Sequence, residues 1–204
     1  MSSTSSRVYG GLSGEQRRSE RHALLVEAGL NLLGAEEDPK LTVRGACSEA
    51  GLVTRYFYES FADRDELVIA VFDRVVSEVA AAALRAIEDV PDLHDRARAG
   101  LGAIVGSIAE DPRRGRLLFS SALNSPVLVT RRARSTRMFV QLLREQARST
   151  YGTQEDPRAD LLADFLVGGL AQVLSAWLSG TLDTSQEEIV ERCAALFLAA
   201  GDML

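Results

Sequence analysis

The stretch LTVRGACSEAGLVTRYFYESFADRDEL, residues 41–67, decides the fold. Thr42 stands where a helix N-cap belongs, with a hydroxyl suited to accept from the free amides of the next turn. Val43, Ala46, Cys47 and Ala50 follow at i, i+3, i+4 and i+7, a short apolar stripe, and Gly51 ends the helix after about two turns. A second short helix is predicted from Thr54 to Phe61, with Val53, Phe57 and Phe61 on one side. Asp63, with Glu66 three residues on, predicts the capped start of a longer helix. Two short helices with small apolar faces, joined by a glycine turn, bury those faces against each other and against a preceding helix. That is a helix-turn-helix, whose second helix is presented outward. With Phe57 inward, a step of about 100° per residue puts Arg55 and Glu59 on the far side. Tyr56 and Tyr58 flank them and Thr54 lies near the helix start. Arginine, tyrosine and threonine reach phosphate oxygens or base edges.

Outward from this motif the whole chain reads as helix. Alanine, leucine, glutamate and arginine dominate, and no segment sustains period-2 alternation. A first helix is predicted from Glu15 to Leu33, where Leu25, Ala28 and Leu32 share a face with Val26, Leu30 and Leu33. After the motif, a helix from Arg64 to about Asp89 is stopped by Pro91. Further helices are expected at 92–110, 112–122, 126–151, 157–179 and 185–203, punctuated at Asp111-Pro112, Ser125-Pro126 and Asp156-Pro157. The expected fold is all-α with about nine helices. It divides into a flexible arm at 1–14, a helix-turn-helix head at 15–62 and a helical-bundle body at 63–204.

The motif resembles the tetracycline-repressor (TetR) family of transcriptional regulators. The resemblance lies in Thr42-Val43-Arg44, in Ala50-Gly51-Leu52, in the spacing of Tyr58 and Phe61, and in Arg64-Asp65-Glu66-Leu67. Phe57 stands where the family has leucine, Arg64 where it has lysine, and Arg55-Tyr56 where it more often has Gly-Thr. The resemblance implies a homodimer that places two recognition helices in successive major grooves of a palindromic operator, released by a small ligand in the body. It implies phosphate contacts from Thr42, Arg44, Tyr58 and Arg64, and groove-facing roles for Thr54, Arg55 and Tyr56. Arg7, Arg17 and Arg18 are expected to add contacts from the N-terminal side.

The charge constrains how such a head works. The chain has 204 residues and a net charge of −6, and residues 1–65 hold eight basic and ten acidic groups. A protein that coats nucleic acid through counterion release would be basic. Any DNA face must therefore be basic locally, with its acids occupied or turned away. A helical adaptor that binds protein, with a degenerate DNA head, is the competing reading. Catalysis has little to work with. There are two histidines and two cysteines, and no G-x-G-x-x-G, P-loop, G-x-S-x-G, HExxH or CxxC motif. No enzymatic activity, cofactor or metal is expected. Cys47 and Cys193 read as packed thiols, no run approaches the length of a membrane span, and a cytoplasmic location is expected.

In the body, Phe72, Ile104, Val105, Ile108, Phe119, Leu123, Phe139, Leu142 and Phe165 are the expected lining of an apolar ligand pocket. The last two helices are rich in small and apolar residues. They are expected to pair with their copies in a second chain as a four-helix bundle, through Phe165, Gly169, Val173, Trp177, Ala195 and Leu198. The arginine run Arg113, Arg114 and Arg116 opens a helix, where cations oppose the dipole, and Arg131, Arg132, Arg134 and Arg137 open the next; for each a solvated face or a contact with the head is expected ahead of the lining of an anionic-ligand entrance.

Overall fold

A computed structural model of the chain describes residues 14–120, 123–152 and 157–203. Among the described residues the fold is all-α, with nine helices and no strand. They are α1 (Gly14–Leu33), α2 (Val43–Glu49), α3 (Thr54–Tyr58), α4 (Arg64–Ile87), α5 (Leu93–Glu110), α6 (Pro112–Phe119), α7 (Pro126–Tyr151), α8 (Pro157–Leu178) and α9 (Gln186–Gly201). Of the arm expected at 1–14, only Gly14 is described and it opens α1; Arg7 lies outside the described residues.

Local capping chemistry sets most of the helix starts. Thr42 accepts from the Gly45 amide at 3.0 Å, Asp63 from Glu66 at 2.9 Å, Asp92 from Asp95 at 2.9 Å and Ser185 from Glu188 at 3.1 Å. Pro112 and Pro126 occupy first-turn positions that need no amide donor. Gly51 takes φ +66°, the left-handed conformation that lets the chain reverse between α2 and α3.

Two expectations change here. The second helix of the motif ends at Tyr58 rather than Phe61; Phe61 still packs on Phe57, with ring centroids 5.7 Å apart. Val53 is not part of the buried side. It is the extended residue before α3 and is 62% exposed, because a residue outside the helix does not follow the helical period.

One core runs from head to body without a break. Leu25 and Leu30 of α1, Cys47 of α2 and Phe57 of α3 pack with Leu67, Val71 and Val75 of α4, Leu117 of α6 and Leu128 of α7. Phe57 is fully buried, and each such side chain contributes about 1.5–3 kcal/mol. A second core joins Leu101, Val105 and Ile108 of α5 to Leu174 of α8 and Ile189, Cys193 and Ala194 of α9.

A polar latch ties α1 to α6 beside the first core. Glu27 of α1 pairs with Arg74 of α4 and with Arg113 of α6, each at 2.9 Å. Arg113 also pairs with Asp111 at 2.7 Å and donates to the Asn31 side chain. Arg116 Nε donates to the Gly34 carbonyl at 2.6 Å. Arg113 and Arg116 of the run thus contact the head, while Arg114 pairs with Glu78 of α4 at 3.1 Å. Gly34 is where the two helices touch: a Cβ built there would sit 2.5 Å from Arg113 Cβ and 2.7 Å from its Cα. Burial raises the Glu27 pKa, but the hydrogen bonds and charges of Arg74 and Arg113 outweigh it and leave the carboxyl below its ordinary range. The Arg113 hydrogen bond is the main cause holding Asp111 low as well.

The expectation that no run reaches the length of a membrane span does not hold for α8. Its 22 residues are long and apolar enough by length and composition. The helix is apolar nearly all round because one side lines the body and the other is a bare face, described below.

Candidate nucleic-acid interface

The motif residues fall into two groups by what already engages them. Arg44 is exposed, and no ion pair or hydrogen bond among the described residues takes up its guanidinium. The Tyr58 side chain is exposed too, its ring set edge-on to Phe57 and its hydroxyl free of a described partner. Thr42 accepts a bond as a cap, which leaves its O–H hydrogen to donate outward. These three present donors to solvent from the ends of α2 and α3.

The others are partly spoken for. Arg55 is 84% exposed but pairs with Glu59 at 3.3 Å. Arg64 lies 2.5 Å from Asp65. Thr54 is exposed at the start of α3, near the Cys47 thiol, whose pKa burial raises. Tyr56 is half-buried, with the Arg21 guanidinium stacked 4.4 Å from its ring centroid. Exposed ion pairs of this kind are worth little, so a phosphate displaces them at small cost.

Two residues of α1 organise this surface. Arg21 pairs with Glu59 at 3.1 Å while covering Tyr56, and Arg18 donates to the Glu59 carbonyl at 3.2 Å. Sequence reading gave Arg21 no role, since its partner is 38 residues away. His22, isolated in the sequence, stacks on Phe61 at 4.7 Å. The acids of the motif are occupied rather than absent. Glu59 is shared by Arg21 and Arg55, Glu49 binds Asn31, and Asp63 and Glu66 bind backbone amides.

In the body, a cavity of about 540 Å³ lies between α4, α5, α7 and α8, with parts of α6 and α9 on its wall. Of the residues expected around it, Ile104, Ile108, Phe119, Phe139 and Leu142 are on its wall. Four are not. Phe72 and Leu123 belong to the first core and Val105 to the second, while Phe165 points to solvent, 74% exposed. Leu198, expected at an interface between copies, lines the cavity instead. Val173 and Trp177 are half-buried against the second core, and the Trp177 indole donates to the Thr184 carbonyl at 3.1 Å, fixing the turn into α9. Phe165, Gly169 and Ala195 are exposed, as are Leu161 and Gly168 of α8, Leu196 and Ala199 of α9, and Met203 just beyond it.

No family model matches this chain, and no curated protein does. Solved structures do. The fatty acid degradation regulator FadR of Bacillus halodurans superposes with a TM-score of 0.73 at 13% identity, over 87% of this chain and 94% of its own. A TetR-family transcriptional regulator from Streptomyces coelicolor superposes with 0.70 at 19% identity, over 89% and 80%. One from Marinobacter aquaeolei gives 0.63 at 20% identity, over 91% and 97%. The chain has the fold of TetR-family regulators.

Proposed function

We propose that this chain, built on the fold of TetR-family regulators, is a sequence-specific DNA-binding transcription regulator. It acts as a homodimer on a palindromic operator, with a head at 15–62 and a body at 63–204. The reading adds that a mainly apolar ligand in the body cavity releases it from DNA. The observation that carries the DNA reading is the state of Arg44 and Tyr58. Both are exposed on the helix-turn-helix, and neither the guanidinium nor the hydroxyl has a described partner, while the neighbouring acids are all engaged.

The dimer rests on the α8–α9 face. Leu161, Phe165, Leu196 and Met203 are 71, 74, 63 and 68% exposed, a run of large apolar side chains that a monomer would leave in water. Gly168, Gly169, Ala195 and Ala199 stand among them and allow a second pair of helices to approach closely.

Fluorescence anisotropy with DNA from the chain's own promoter region tests the DNA reading. Binding is expected at low salt and is expected to weaken as salt rises. Arg44→Ala removes one phosphate contact per subunit. It is expected to flatten the slope of log affinity against log salt by about 2 per dimer. Tyr58→Phe is expected to weaken binding without changing that slope. If low salt yields no binding, or neither substitution matters, the reading fails and the protein-binding adaptor takes its place.

A further inference from the structure

The walls of the body cavity carry an unbalanced charge. Two arginines line it, Arg96 and Arg132, and among the described residues no carboxylate does. Arg113 of α6 sits on Glu27, and Arg131 and Arg144 of α7 sit on Asp73 and Asp160. Arg132 has no such partner. Its Nη1 donates to the Leu123 carbonyl and its Nη2 to those of Leu117 and Ser120, all at 2.9 Å. Its Nε is buried and has no acceptor. Carbonyls at a helix end suit a cation, so Arg132 caps α6. They are dipoles rather than a counter-ion, however, and they leave part of the five-donor fork unused. Burial pulls the Arg132 pKa down, yet arginine keeps its proton in proteins. A partly desolvated cation without a counter-ion is costly, and an anion entering beside it removes that cost.

The cavity also has a shape. Along α7 its wall runs from Arg132 to Thr150, eighteen residues, or about 27 Å of helix at about 1.5 Å each. A wall of that length suits an extended chain. We infer that the ligand is an elongated amphiphile with one anionic head, whose carboxylate pairs with Arg132 while its apolar chain lies along α7 toward Thr150. The inference rests on the ligand-responsive reading proposed above and names its ligand class. It also gives ligand binding a route to the head. A carboxylate on Arg132 competes with the Leu117 and Ser120 carbonyls at the end of α6, and α6 grips α1 through Arg113 and Arg116.

The test is competitive displacement of the neutral fluorescent probe N-phenylnaphthylamine from the full chain, without DNA. The competitors are palmitate, cetyl alcohol and methyl palmitate, which share a chain length and differ in the head. Palmitate is expected to bind about ten- to a hundredfold more tightly than the other two, the value of a charge-assisted hydrogen bond in a dry site. In Arg132→Gln that preference is expected to vanish while the alcohol binds as before, which also shows that the variant is folded. Equal binding of all three to the unaltered chain overturns the anionic head. A preference that survives in Arg132→Gln but is lost in Arg96→Gln overturns the assignment to Arg132. Failure of all three to displace the probe overturns the ligand class. DNA binding is read separately. A chain that prefers palmitate but binds no DNA keeps this site and loses the regulator reading, and the converse result does the reverse.

Discussion

Replacing Gly34 by alanine tests whether the contact between α1 and α6 is as tight as the geometry says. A Cβ there would lie 2.5 Å from Arg113 Cβ, 2.7 Å from its Cα and 2.8 Å from its carbonyl oxygen. Two of these three atoms are backbone and the third is bonded to it, so no rotamer change relieves the clash. Either α6 moves off the end of α1 or the end of α1 bends. Overpacking of this kind costs about 1–3 kcal/mol. For a chain of this size each kcal/mol shifts Tm by about 2–4 °C, so Gly34→Ala is expected to melt about 2–12 °C lower. The movement also strains the bond from Arg116 to the Gly34 carbonyl and the pairing of Arg113 with Glu27. Gly102→Ala in α5 is the control. A Cβ there meets nothing within 4 Å, and alanine gains up to about 1 kcal/mol over glycine inside a helix. Melting of both variants followed by circular dichroism, at one protein concentration, gives the comparison. A Gly34→Ala protein that melts at or above the unaltered chain refutes the argument that α1 and α6 are in backbone contact.

Other expectations follow from the α8–α9 face and from the latch. Phe165→Asp places a charge on the exposed apolar face and is expected to give a monomer in analytical ultracentrifugation, with unchanged helicity and lost operator affinity; a dimer that persists moves the interface elsewhere. Glu27 and Asp111 have carboxyl pKa values below their ordinary 4.5 and 3.8. A depressed folded value gives stability that is present above the unfolded pKa and lost as pH falls through the folded one. Denaturant melts between about pH 7 and pH 3 are therefore expected to show a steep acid-side loss, and Arg113→Gln to flatten it. An unchanged acid slope in that variant means that the latch carboxylates are not held low by Arg113.

What was legible in the sequence was local. Thr42, Asp63, Pro112 and Pro126 mark helix starts within a turn of where they fall, because a cap depends on three or four neighbouring residues. The buried sides of α1 and α2 follow from spacing, since a helix in contact with one core repeats every 3.6 residues. What was not legible joins distant residues. Arg113 and Glu27 are 86 residues apart and Arg21 and Glu59 are 38, and nothing in either neighbourhood marks the partner. The body defeated the sequence for another reason. Nearly every side of α8 is apolar, so hydrophobicity does not separate the wall of the cavity from the second core or the bare face. Phe165 suited both pocket and interface in the sequence, and only the bundle turns it to solvent. Trp177 suited an interface by type, but the turn into α9 needs its indole.

The unbroken first core bears on how this protein can be recombined with others. Phe57 of the motif is buried together with Leu67, Val71 and Val75, so the opening turns of α4 belong energetically to the helix-turn-helix. A hybrid sensor spliced at residue 62 would strip the transplanted motif of its floor. Splicing beyond Val79 would keep the floor and the pairing of Arg74 with Glu27, but would take Glu27 away from Arg113, which α6 of the other parent must then supply. The transplantable unit is thus longer than the motif, and its natural seam runs through the middle of a helix rather than through the loop before it.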